Sequence, residues 1–273
     1  AATATAVGAG IMCITMGLVS NRPLAMASGM GINAAVAFSI IGAAQSNVPW
    51  QVGMAVVFVE GLVILILVLS GLREAVMNAI PLNLKRAIGV GIGLFITVIG
   101  LNQGGVIKPA PITLVSIGDL SQSYVLITLV GLFAITIFMS LKIKAEILWG
   151  MLLAAIVALF MGVIKMPGTF VGDLDFSAFF APFQTINGSI ALEHILVPSL
   201  LGAVFALMLT DFFDTMGTVF AVSEQAGFIT ANGKVPGIKR ILIVDSIAAS
   251  IGGLFGASSI TTYVESTAGV AEG

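Results

Sequence analysis

Apolar residues run through this chain in stretches of about the twenty-residue length that a helix needs to cross a bilayer. Short clusters of glycine, proline and charge break them. The pattern predicts a first span over 1–19, a second over 23–44 that is interrupted by glycines, and a third over 50–70. Residues 72–84 (LREAVMNAIPLNL) are short and amphipathic and are predicted to lie at the membrane interface. Further spans are predicted over 87–103, 124–141, 145–164, 196–222 and 238–255. A last, broken segment opens at 256, which makes about nine segments.

Basic residues test this map. Taken alternately, one set of connections holds Arg22; Arg73, Lys85 and Arg86; Lys142 and Lys144; and Lys234, Lys239 and Arg240. The other set, which includes the loop 45–49, holds only Lys108 and Lys165. Cytoplasmic loops are enriched in Lys and Arg, so the first set is assigned to the cytoplasm. The first span then runs from outside to inside.

Composition makes membrane insertion close to forced. Of 273 residues, 58% are hydrophobic and 9% charged, and mean hydropathy is +1.14; a soluble domain carries about 25% charged residues. No basic stripe points to nucleic acid, and the net charge of −2 says little about partners. The single cysteine, Cys13, lies in an apolar run, so it is expected to be a buried, inert thiol. The chain starts inside an apolar run without an initiator Met and stops at Gly273 without a closing helix. It is therefore expected to be a fragment of a longer protein. The longest polar connection, 165–195, is expected outside the membrane. Asp173, Asp175 and Glu193 there read as solvated charges, and His194 as a loop or capping residue.

Chemistry concentrates in five acidic residues at membrane depth: Glu60, Asp211, Asp214, Asp245 and Glu265. A central Asp in a span costs at least about 2.5–3.5 kcal/mol, so such groups face a cavity or a partner. No Lys or Arg accompanies them at membrane depth, so internal salt bridges are not expected to explain them. Asp211 and Asp214, in LMLTDFFDTMGTVFAV, share one helix face at i, i+3 spacing, and Thr218 continues it. Two carboxylates this close are a physical basis for proton coupling. Glu265, in GASSITTYVESTAGVAEG, reads as the end of an extended stretch entering a half-helix. Glu60 and Asp245 are expected to hydrogen-bond between helices, with Asp245 placed to orient the binding segments.

The second span has the same broken character as the last. It carries Pro23, Gly29, Gly31 and Asn33; the glycines permit turns and close approach, and Asn33 both donates and accepts. Inverted-repeat transporters bind solute near the midplane between discontinuous helices in corresponding positions of two halves. Segments 23–44 and 256–273 fit that relation, because each follows an intact span and they enter from opposite sides.

The strings PLAMASGMGINAAVAF, DFFDTMGTVFAVSEQAG and SSITTYVESTAGVAEG, with the stretches 72–96 and LVSIGDL at 114–120, resemble the AzgA-like adenine/guanine/hypoxanthine permeases of the nucleobase–ascorbate (nucleobase:cation symporter) superfamily. The resemblance covers nearly the whole chain. It implies an all-α polytopic fold of fourteen segments in two inverted repeats of seven, with two discontinuous helices, of which this chain holds the second segment into the tenth. It implies a core domain at 1–70 and 196–273, a gate domain at 71–164 and a connection at 165–195. The implied binding positions are Asn33, Asp211, Asp214 and Glu265, with Asp211, Asp214 and Glu265 as proton-coupling candidates and Gly29, Gly31, Thr218 and Asp245 supporting the site. Ser28 stands where many relatives carry proline. The implied activity is proton-coupled purine uptake by alternating access in the cell membrane, often by homodimers. A uracil or xanthine permease and a cation channel are the alternatives. No nucleophile–base pair, metal cluster or nucleotide loop suggests an enzyme, a metal or a cofactor.

Overall fold

The computed structural model describes residues 2–42, 48–111, 113–166, 172, 174–186, 188–230 and 232–273. Asp173 and most of the loop 45–49 lie outside the described residues. Among the described residues, five helices are long and apolar enough to cross a membrane: α1 (Ala2–Ser20), α3 (Trp50–Leu69), α5 (Leu82–Gln103), α6 (Ser123–Ser140) and α8 (Pro198–Gln225). Shorter helices complete the set: α2 (Met30–Ala34), which continues as a π-helical stretch Ala35–Ile41, then α4 (Leu72–Ala79), α7 (Glu146–Phe160), α9 (Ile238–Phe255) and α10 (Ser266–Glu272). Leu18, Phe38, Phe133 and Phe160 project from these helices largely exposed, as lipid-facing residues of a membrane protein do.

The chain divides into two compact units, residues 1–89 with 173–271, and residues 90–172. In the larger unit α3 and α9 pack over a long seam. The seam is built from small residues, which let helix backbones approach in lipid. A Cβ added at Gly253 would lie 2.5 Å from the Phe58 nitrogen, and one at Gly61 would collide with the backbone of Ser250. Gly256 then ends α9 in the left-handed conformation, at φ 75°, and the Ala257 N–H caps the Gly252 carbonyl at 2.8 Å.

Beyond that cap the chain is extended. Strand β6 (Ile260–Thr262) pairs antiparallel with β1 (Met26–Ser28), with Ala27 opposite Thr261. The two segments that the sequence marks as broken are thus hydrogen-bonded to each other. The Gly29 N–H donates to Ser259 O at 2.9 Å, and Tyr263 N–H to Ala25 O at 2.9 Å, extending the ladder at both ends. Cys13 is half-buried rather than buried and is not a bystander: its thiol lies 3.1 Å from Met26 O and accepts the Met26 N–H at 3.0 Å, tying β1 to α1. Met12, Met16, Met26, Val219, Ile241 and Ile260 form the adjoining core.

Two expectations shift. Helix α5 starts at Leu82, not 87, because its basic first turn is anchored: Lys85 lies over the Phe220 ring and Arg86 pairs with Glu224 at 2.7 Å. In the smaller unit the 103–124 connection holds an unforeseen hairpin, β2 (Ile107–Ala110) with β3 (Leu114–Ile117). Four residues per strand are too few for alternation to stand out. Asp119 then accepts from the Ser121 hydroxyl and N–H and the Gln122 amide, which hold its carboxyl down to about 2. That depressed value means its contribution is full above the ordinary carboxylate range and is lost as pH falls toward about 2.

Two outcomes follow from these contacts. Gly253→Val forces the α3–α9 seam apart and should destabilise the protein by at least about 1–3 kcal/mol, measured as an earlier thermal transition in detergent; an unchanged transition would show that the seam can relax. Asp119→Ala should speed amide exchange at Ser121 at neutral pH and leave the α3–α9 seam unaffected.

Candidate functional site

Three elements bring polar groups together behind the strand pair. The β1 strand delivers Ser28, α2 delivers Asn33, and the chain after β6 delivers Tyr263 and Glu265. The Ser28 hydroxyl lies 2.8 Å from Asn33 Oδ1 and also reaches the Ala257 carbonyl, while the Tyr263 hydroxyl donates to Ser28 O. With Asn33 Oδ1 engaged by Ser28, the Asn33 amide N–H groups are free to donate elsewhere. Ser28, Asn33, Gly256, Ser258 and Tyr263 line a cavity of about 420 Å³, inside the range of small-molecule sites. Ser28 therefore holds Asn33. Gly29 permits the tight fit: a Cβ there would press on Thr261 Cγ2 at 2.9 Å. Gly31 is half-buried in the first turn of α2.

Asp214 and Glu265 meet from opposite elements. Asp214 is half-buried on α8, and Glu265 is exposed at the residue preceding α10. They lie within electrostatic range of each other, and both lie within range of Tyr263 at the cavity wall. Asp211, one turn earlier on α8, is wholly buried and turns to a different set of neighbours.

Those neighbours correct the expectation that the intramembrane acids have no basic mate. Helix α4 is amphipathic as expected, but Arg73 on it is 1% exposed and points into the larger unit. Arg73 Nη2 lies 3.2 Å from Asp245 Oδ2 and 3.6 Å from Asp211 Oδ2, and Nη1 donates to Ser246 Oγ at 3.1 Å. The sequence hid this because Arg73 sits in a short polar segment outside every apolar run. Its long side chain carries the charge inward from the helix end.

Asp245 fulfils its expected structural role. It accepts from the Thr215 hydroxyl at 2.8 Å, the Thr261 hydroxyl at 3.3 Å and the Thr262 N–H at 3.3 Å. It therefore ties α4, α8 and α9 to β6. Thr218 is buried further along α8. Glu60 does not fulfil its expected role: it is wholly buried, and neither of its oxygens has a hydrogen-bond partner among the described residues. Three residues of this region escaped sequence reading: Arg73, Ser28 as the partner of Asn33, and Tyr263. Tyr263 was legible in principle, as an aromatic with a polar tip among small residues two positions before Glu265.

Membrane-crossing helices gathered around two interrupted, mutually paired segments define a multi-pass membrane protein of the transporter class. The whole chain, residues 1–273, matches the profile described as the Permease family, and the chain belongs to that family. It is 40% identical over 99% of its length to the guanine/hypoxanthine permease PbuG of Bacillus subtilis and 38% identical over 97% to the adenine permease AdeQ of Escherichia coli. It is 36% identical over 99% to a second Bacillus subtilis guanine/hypoxanthine permease, PbuO. The chain spans 60%, 58% and 62% of the lengths of these relatives.

The cluster makes its own prediction. Arg73→Ala leaves three buried carboxyls facing no cation and should cost about 3–5 kcal/mol, the usual effect of removing one partner from a buried pair. The measurement is thermal stability in detergent, where Arg73→Lys should recover part of the loss. Equal stability of Arg73→Ala and the wild type would dismiss the cluster as a stabilising element.

Proposed function

We propose that the protein is a secondary transporter that takes up purine nucleobases (adenine, guanine or hypoxanthine) by proton symport with alternating access. The observation that carries this reading is the cavity between the two interrupted segments. It is lined by Asn33 and Tyr263, and neither Lys nor Arg is among its lining residues. A purine is flat and neutral, with N–H donors along one edge and ring-nitrogen acceptors along another. Asn33 amide hydrogens meet acceptors, carboxylates accept from N–H groups, and the Tyr263 ring offers a face for stacking. An anionic solute would require a cation, which this cavity lacks among the described residues. The printed names of the relatives support the same substrate class.

In this reading Glu265 anchors the base, Asn33 and Asp214 share its recognition, and Asp211 contributes through the Arg73 cluster. Gly29, Gly31, Thr218 and Asp245 hold the backbone around the base. Residues 1–70 and 196–273 belong to a core domain, 71–164 to a gate and 165–195 to the connection between them, in a seven-plus-seven inverted repeat that works as a homodimer. The paired strands support the inverted relation, since each arises from a segment broken after an intact helix.

The test is uptake of labelled adenine, guanine and hypoxanthine into proteoliposomes across an imposed pH gradient. Uptake should saturate, and unlabelled adenine, guanine or hypoxanthine should compete better than uracil or xanthine. Hydrogen bonds to charged groups contribute about 1.5–3 kcal/mol, so Glu265→Gln should lower purine affinity roughly 10- to 100-fold. Asn33→Ala should weaken it by a smaller factor. Undiminished affinity in Glu265→Gln removes the anchor role, and unsaturable currents insensitive to purines would replace the symporter with a channel.

A further inference from the structure

Glu60 lies midway along α3, and the purine site makes no use of it. Its carboxyl is wholly buried, with both oxygens unpartnered among the described residues. Asp211 is equally buried, and its oxygens likewise have no hydrogen-bond partner there. The charged groups within range of Glu60 are Arg73 from α4, Asp211 from α8 and Asp245 from α9. Other titratable groups on elements packed against α3 turn elsewhere: Asp214 on α8 lies within range of Asp245 and Glu265, Glu224 pairs with Arg86, and Lys239 and Arg240 are exposed at the start of α9. Glu74 on α4 is half-exposed and Glu193 is exposed, while His194 hydrogen-bonds Ser189 at 2.9 Å.

One guanidinium therefore faces three carboxyls. Asp245 holds it at 3.2 Å and also receives three hydrogen bonds from Thr215, Thr261 and Thr262. Asp211 sits second, at 3.6 Å. Glu60 receives no donor at all. A bare carboxylate in that position loses its hydration without compensation, at several kcal/mol. A carboxyl that has taken up a proton avoids that cost, and it does so next to a cation that can be shared when the proton leaves.

We propose that Glu60 is a proton-binding site that drives transport, with Arg73 as the counter-charge it exchanges with Asp211. Loading forms one O–H bond on Glu60, with the proton drawn from water, and leaves Arg73 to Asp211 and Asp245. Release breaks that bond, returns the proton to water on the opposite side, and moves Arg73 toward the new carboxylate. Because Asp245 also holds Thr261 and Thr262, movement of Arg73 is transmitted to β6 and so to the base-binding segment. The inference rests on the symport reading and adds a residue remote from the base.

The experiment uses the reconstituted protein with labelled hypoxanthine. One symported proton supports up to about tenfold accumulation per pH unit. Glu60→Gln should still exchange internal for external hypoxanthine, which needs no net proton movement, but its accumulation ratio across the gradient should fall to one. Accumulation equal to wild type overturns the proposal. A second readout needs no substrate: in infrared spectra the wild type should show the carbonyl band of a buried carboxylic acid, titrating with pH, that Glu60→Gln lacks. Identical band patterns in the two proteins overturn the proposal as well. Should Glu60→Gln fail to fold, Glu60→Asp, which keeps the titrating group, must shift both the band and the pH dependence of uptake; if neither moves, the proposal fails. A wild type that shows the band but no purine uptake would sink the substrate reading and leave the proton site standing.

Discussion

Backbone polar groups at membrane depth must be satisfied by protein, since lipid offers no hydrogen bonds. Where α9 ends at Gly256 and where the chain leaves α1, that requirement falls on extended backbone. The two stretches answer it for each other: β1 and β6 exchange ladder bonds, and Gly29, Ser259, Ala25 and Tyr263 close the ends. Everything else in the larger unit serves this pairing. The glycine seam packs α9 against α3, the Cys13 thiol braces β1, and Asp245 braces β6. The cavity exists because two interrupted helices cannot fill the space that two continuous ones would.

The same bracing joins stability to chemistry. Asp245 is satisfied by a guanidinium, two hydroxyls and a backbone N–H, so it links Arg73 to β6. Asp211 and Glu60 share its guanidinium without its hydrogen bonds. A cluster with one settled and two unsettled carboxyls keeps its framework while the occupancy of protons changes. Asp214, half-buried on α8, lies instead within electrostatic range of Glu265 and Tyr263. The two aspartates are one helical turn apart, which explains how one helix addresses both sets of neighbours.

Much of this was legible in the sequence. The long apolar runs gave the spans, because a helix in lipid has no alternative way to satisfy its backbone. The interruptions at 23–44 and 256–273 were legible because Gly, Pro, Ser and Thr cluster there within otherwise apolar chain. Asp211 and Asp214 were legible as a pair on one helix, but their division between two environments was not. A spacing of three leaves them about 60° apart around the axis, and only the packing of α4 decides that Asp211 meets a cation. Arg73 was illegible for a related reason. Hydropathy reads a residue by its sequence neighbours, whereas a long side chain delivers its charge several ångströms from its own backbone. The β1–β6 pairing itself was out of reach, since three-residue strands more than two hundred positions apart leave no periodic trace.

Arg73 is synthesised 172 positions before Asp245, the nearer of the two carboxylates that pair with it. During insertion it must wait, charged, until α8 and α9 have emerged. Its place on a short helix just past the end of α3 makes that wait tolerable, because the guanidinium can stay among headgroups until α8 and α9 arrive. The ion cluster then forms as a late step of biogenesis, and it locks the early helices to the late ones only once both are in the bilayer.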